Sequence, residues 1–127
     1  MTWVSNDVFA LANEGDGKKD KDGTLPGGRG FTLMNTRGEV VYETGERTEQ
    51  RALLRGHYPD NRSAAKGVEI EGVTSARFGG RPYLLVGSER GASLEVHEVS
   101  DPKQPRFVQW LPTGPESCVI REISYVL

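Results

Sequence analysis

The sequence predicts an all-β fold of antiparallel four-stranded sheets, about two blades of a β-propeller with one short helix between them. Three observations carry that expectation. Residues 71–111 read as four strands in unbroken succession with a turn signal at each junction. Parts of that stretch recur, weakly, on both sides of it. Sixteen Gly and seven Pro, with 35% apolar residues, fit a turn-rich β chain better than a helical one. A two-sheet β-sandwich is the alternative packing of the same strands.

In chain order, Asp7–Asn13 reads as a strand, and Glu14–Arg29 is a polar, glycine-rich loop. Phe31–Asn35 and Glu39–Glu43 form a hairpin around Thr36-Arg37-Gly38, where the glycine can take the left-handed conformation. Glu46–Arg55 is rich in helix formers, shows an apolar side in Ala52, Leu53 and Leu54, and has Gly56 where a C-terminal cap belongs. From His57 to Val68 the pattern is loop. Gly72–Phe78 then ends at Gly79-Gly80, a pair suited to a two-residue hairpin turn. Pro82–Ser88 contains the uninterrupted run Tyr83-Leu84-Leu85-Val86, expected of a strand covered on both faces. Ser93–Val99 alternates, with Leu94 and Val96 on one side and Glu95 and His97 on the other, the pattern of a half-buried strand. After a turn at Asp101–Pro105, Arg106–Leu111 closes the set, with Val108 and Trp110 on one face and Phe107, Gln109 and Leu111 on the other.

Self-similarity supports a repeat. Glu71-Gly72-Val73 and Glu116-Ser117-Cys118-Val119 lie 45 residues apart, a period that suits a four-stranded blade. Phe9–Gly15 resembles Leu84–Gly91, an apolar strand ending in a small polar residue and Glu. The chain therefore divides into an incomplete blade of three strands (1–45), a helix and connecting loop (46–70), a complete blade (71–111) and the opening of a further blade (112–127).

With 16 basic and 18 acidic residues and no basic stripe, the charge pattern offers nothing to nucleic acid or an anionic membrane. No apolar run approaches the roughly 18 residues needed to span a bilayer, and Met1-Thr2-Trp3-Val4-Ser5 lacks the regions of a signal peptide. Cys118 is the single cysteine, so no internal disulfide forms.

Four segments carry a family resemblance: Ala12-Asn13-Glu14-Gly15-Asp16; Gly30-Phe31-Thr32-Leu33 with Val41-Tyr42-Glu43-Thr44-Gly45; Arg62–Val73; and Val99-Ser100-Asp101-Pro102 with Arg106-Phe107-Val108-Gln109. Together they resemble the choice-of-anchor I family of bacterial surface β-propellers, from about Val8 to Ser117. The third segment is the most specific, since Lys66, Gly67, Glu69, Glu71 and Gly72 match a Lys-Gly-Pro-Glu-Pro-Glu-Gly pattern in which Val68 and Ile70 replace prolines. The resemblance implies an extracellular or cell-surface location and a propeller of more blades than these. It also implies a distant similarity to phytase-like and alkaline-phosphatase-labelled proteins.

The candidate site consists of acidic residues at strand ends: Glu14, Asp16, Glu69, Glu71, Glu89 and Glu116. Equivalent positions of successive blades converge, and converging carboxylates raise one another's proton affinity or recruit a hard cation such as Ca2+. Glu14, Asp16, Glu71, Glu89 and Glu116 are the metal candidates, and Glu69, Glu71 and Glu89 the ligand-binding ones. Asp16–Gly23 fails as a calcium loop, because the frame set by Gly23 places Lys18 first and Arg29 last.

Other signatures fail on spacing. Val86 stands where a nucleophile elbow before Ser88 needs glycine. His57 and His97 lie forty residues apart with no cysteine near, and read as surface residues. Gly27-Gly28-Arg29-Gly30 precedes a strand, so it cradles no phosphate. Asn61-Arg62-Ser63 is a glycosylation acceptor sequence only in a eukaryotic secretory host.

Two functions remain in view: a non-catalytic module binding a small molecule or protein, ranked first, and a metal-dependent phosphoesterase using Glu69, Glu71 and Glu89. Two blades fall short of the four to eight of a closed propeller. A homo-oligomer, or the remainder of a longer propeller, is therefore the expected partner, with the Glu116 strand completing the three-stranded sheet.

Overall fold

A computed structural model describes residues 1–16, 18–24 and 27–114. The sequence segment Cys118–Leu127 and the candidate Glu116 lie outside the described residues. The fold is all-β, with two antiparallel four-stranded sheets and one short helix. Each sheet is a simple meander. The first contains β1 (Thr2–Trp3), β2 (Val8–Ala12), β3 (Phe31–Asn35) and β4 (Val40–Glu43), in that order. Helix α1 (Arg47–Leu54) then leads through a 3-10 turn at Asp60–Arg62 to the second sheet. That sheet contains β5 (Ile70–Phe78), β6 (Arg81–Ser88), β7 (Ser93–Glu98) and β8 (Arg106–Pro112), again in order.

The turn chemistry explains where strands stop. Gly38, Gly79 and Gly80 have φ of 81°, 56° and 78°, values that side chains with a Cβ adopt only under strain. Gly56 ends α1 with φ 72°, its N–H donating to Leu53 O while His57 N–H reaches Ala52 O, the paired bonds of a Schellman cap.

The expected three strands before the helix are four. Thr2 and Trp3 pair with Ala10 and Phe9, so β1 occupies the edge of β2 that the expected completion by the Glu116 strand required. The short Met1–Val4 run carries no alternation long enough to announce a strand. Its pairing depends on the neighbouring sheet, where Ser75 Oγ donates to Trp3 O at 2.6 Å and lies 3.1 Å from Thr2 Oγ1.

The core lies between the sheets. Val8, Ala10, Phe31 and Leu33 of the first meet Val68, Ile70, Leu84 and Val86 from the second and its approach, with Ala52 of α1 closing one side. This burial supplies the main driving force for folding.

Strand β7 reverses the expectation of a solvated polar side. Glu95 and His97 are each 1% exposed, whereas Leu94 and Val96 are only half-buried. His97 Nε2 lies 2.9 Å from Glu95 Oε2, and Arg51 Nη1 of α1 donates to the same oxygen at 2.9 Å. The His97 ring stands edge-on to Phe31 and Phe107. An alternating strand shows that its two faces differ, but not which one is covered. Here the helix brings a cation that makes burial of the polar side tolerable.

His57 is also no free surface residue. Its Nδ1 lies 3.2 Å from Gly91 O and its ring meets Trp110 edge-on at 4.8 Å. A bulge in the β7–β8 pairing at Val96/His97 puts Phe107 opposite His97 and Trp110 opposite Glu95. Phe107 and Trp110 therefore share the face turned to α1, rather than opposite faces as strict alternation implied. Arg51 lies over Phe107 at 4.4 Å and Arg55 over Trp110 at 5.4 Å, cation–π contacts that fasten the helix to the sheet.

Removing one member of a buried pair leaves the other charge uncompensated. Arg51→Met is expected to destabilise the protein by roughly 3 kcal/mol, read from urea unfolding. Arg51→Met with Glu95→Leu should recover most of that loss, and no recovery would mean that Arg51 acts through packing alone.

Candidate functional site

The Arg62–Gly72 segment builds the site. Gly67 has φ 60°, which strains any residue with a Cβ, and a Cβ there would lie 1.8 Å from Glu49 Oε1, so the Glu49 side chain would have to move aside. Val68 is fully buried and is clasped by the loop after β6: Arg90 and Gly91 N–H groups and Ser88 Oγ all donate to Val68 O. Ser88 Oγ also accepts from Gly91 N at 3.0 Å, so this serine holds the turn together. Glu69 follows with φ 51°, and its carbonyl accepts from Glu89 N at 2.9 Å. The β5–β6 register then slips between Ile70 and Gly72. That bulge keeps Ile70 fully buried and turns Glu71 out to solvent.

Glu14, Glu69 and Glu71 thereby come together, one ligand-capable oxygen of each lying within 4.8 Å of the others. Glu89 stands beside Glu71, so the two carboxyl groups share a hydrogen bond once one is protonated. Asp16 takes no part in the cluster; it accepts from its own loop at Lys18 N.

Cations thread the cluster. Glu69 is 3% exposed and gives Oε1 to Arg62 Nη2 and Oε2 to Arg90 Nε, the latter at 3.1 Å. Lys66 Nζ bonds Glu14, and Arg90 reaches Glu89 at 3.5 Å. Burial pushes the Glu69 carboxyl up, but the two guanidinium groups outweigh it and hold the group below its ordinary range. Glu71 moves the other way. The Glu89 carboxyl, then burial, then the charges of Glu89, Glu14 and Glu69 raise its proton affinity. Among the described residues, Glu14, Glu69, Glu71 and Glu89 outnumber Lys66, Arg62 and Arg90 by one, and Glu71 carries the excess.

Arg29 ties this end to the helix, donating at 2.9 Å to both Ser63 O and Ala65 O and at 3.4 Å to Glu49. Beside it opens a cleft of about 390 Å³ walled by Gly28, Arg29, Gly45, Glu46 and Glu49. Reading acidic residues alone missed Arg29, Arg62 and Arg90. The close spacing of Arg62, Lys66, Glu69 and Glu71, with Glu89-Arg90 adjacent, is the signal that was available for most of this network.

A calcium ion at these carboxylates would have to compete with the cations of the chain. That ion takes six to eight oxygens, whereas both Glu69 oxygens and one of Glu14 already accept from cationic side chains.

Paired four-stranded meanders with ionised groups gathered at one end of the strands define an all-β domain. The family model of the choice-of-anchor I domain matches residues 1–102, and the chain belongs to that family. No curated protein and no solved structure matched the chain.

The opposed shifts of Glu71 and Glu69 set a pH signature. Glu71 binds its proton more tightly folded than unfolded, so its ionisation destabilises the fold once pH rises through the carboxylate range. Glu71→Gln should raise the melting temperature at neutral pH and lose that advantage on acidification. Glu69, held low, contributes stability above its unfolded value and loses it as pH falls. Glu69→Gln should therefore lower the melting temperature at neutral pH. A neutral-pH loss on Glu71→Gln would contradict the excess charge assigned to that residue.

Proposed function

We propose that this chain is a non-catalytic binding module, two successive blades of a propeller in a surface or secreted protein, whose charged end takes a basic group of a partner. The supporting observation is the excess carboxylate at Glu71. Its neighbours Glu14, Glu69 and Glu89 are each paired with a lysine or arginine of the chain itself. The one left over is exposed and strained by like charge. An ammonium or guanidinium group from outside would relieve that repulsion with the same geometry the chain already uses. Exposure keeps each such contact modest, so affinity would come from a partner surface rather than from one ion pair. The family name favours a protein held at the cell surface.

The phosphoesterase alternative would use the same carboxylates through a metal. The ion pairs at Glu14 and Glu69 oppose it, because a metal would have to displace Lys66 and compete with Arg62 and Arg90.

Tri-lysine and calcium chloride, titrated separately and followed by amide NMR, separate the two readings. Tri-lysine is expected to shift the amides of Glu71 and Glu89, with the response much reduced in Glu71→Gln and at high salt. Saturable calcium binding, together with calcium-dependent hydrolysis of p-nitrophenyl phosphate that Glu71→Gln abolishes, would replace the binding module with a hydrolase.

A further inference from the structure

Each sheet keeps one face uncovered among the described residues, and the two faces differ in kind. On the first sheet that face carries Phe9, Leu11 and Met34, half-buried, and Trp3, which is 52% exposed and edge-on to Phe9 at 5.4 Å. On the second it carries Leu85, Leu94 and Val96, half-buried, with Phe78 60% and Leu111 37% exposed. Apolar faces of this extent on a soluble domain mark interaction surfaces.

Register shows how the two faces are related. When Asn13-Glu14 is set against Ser88-Glu89, Phe9 and Leu11 match Leu84 and Val86, while Val8 and Ala10 match Tyr83 and Leu85. Leu84 and Val86 are fully buried and lie on the face of the second sheet that packs against the first. Val8 and Ala10 lie on the face of the first sheet that receives them. The uncovered face of the first sheet is thus the counterpart of the second sheet's covered face. Likewise, the uncovered face of the second is the counterpart of the first sheet's covered face. The described residues hold a filled copy of the sheet-to-sheet contact and both halves of an unfilled one.

We propose that a second copy of this chain fills it: the outward face of the second sheet of one copy seats on the outward face of the first sheet of the next, head to tail. The contact continues the interface already present inside the chain, and every copy offers each half once. Equivalence fixes the neighbours. Thr2 faces Ser75 at 3.1 Å within the chain, so Thr74 faces Trp3 of the next copy. Phe31 meets His97 at 4.9 Å, so Leu94 meets Met34 of the next copy. Such a heterologous contact closes into a ring or runs on as a filament, according to the rotation per step. The inference is independent of the ligand reading, since the charged loops lie outside both faces.

Gel filtration with light scattering on the full chain tests it, using Trp3→Glu for one face and Phe78→Glu with Leu111→Glu for the other. These side chains are exposed, and far-UV circular dichroism checks that each variant stays folded. The wild type is expected to be larger than a monomer at micromolar concentration, and each variant monomeric. An equimolar mixture of the two variants should form a dimer, because one intact face of each kind remains. A monomeric wild type, a variant that still self-associates, or a mixture that stays monomeric would each overturn the proposal.

Discussion

The charged end of the molecule depends on one buried carboxylate, that of Glu69. Taking a carboxylate out of water is costly unless its oxygens are hydrogen-bonded to cations. Glu69 meets that condition from two directions, with Arg62 arriving from the loop before β5 and Arg90 from the loop after β6. Its backbone is left-handed, an arrangement that costs a residue with a Cβ of order 1–3 kcal/mol. The surrounding bonds, from Glu69 N to Lys66 O and from Glu89 N to Glu69 O, hold it there. The side chain and backbone of one residue thus lock the loop before β5 to the loop after β6, about twenty residues further along the chain.

The segment that most resembles the family is also the one whose residues are most constrained. Gly67 has both a positive φ and Glu49 where a Cβ would stand. Lys66 neutralises Glu14, Glu69 is the lock, and Glu71 and Gly72 flank the register slip that turns the chain into β5. Each of these residues meets a backbone or charge requirement that few others could meet.

Long strands with turn signals were legible in the sequence almost to the residue. Residues 71–111 and the helix before them carry local patterns strong enough to set their own boundaries. What escaped depends on contacts between elements. Thr2–Trp3 is a strand only because β2 and Ser75 are beside it. The polar side of β7 is buried only because Arg51 lies above it. The site divides in the same way. The acidic residues were visible by type, and the structure gathers Glu14, Glu69, Glu71 and Glu89 while leaving Asp16 apart. Their cations were invisible to a search for metal ligands, although they decide what charge is left over.

Glu95 has a consequence beyond holding the helix. One of its oxygens is shared by Arg51 and His97, while Oε1 has no hydrogen-bond partner in the closed seam. A sheet face made only of aliphatic and aromatic groups, laid over β7 in place of the proper neighbour and without that arginine, would trap a bare carboxylate. Mispacking of that sort would cost more than the apolar contact returned. The seam therefore favours the sheet that arrives with α1 attached. In a molecule of two four-stranded meanders, this acid acts as a key, telling the neighbour that belongs from another that merely fits.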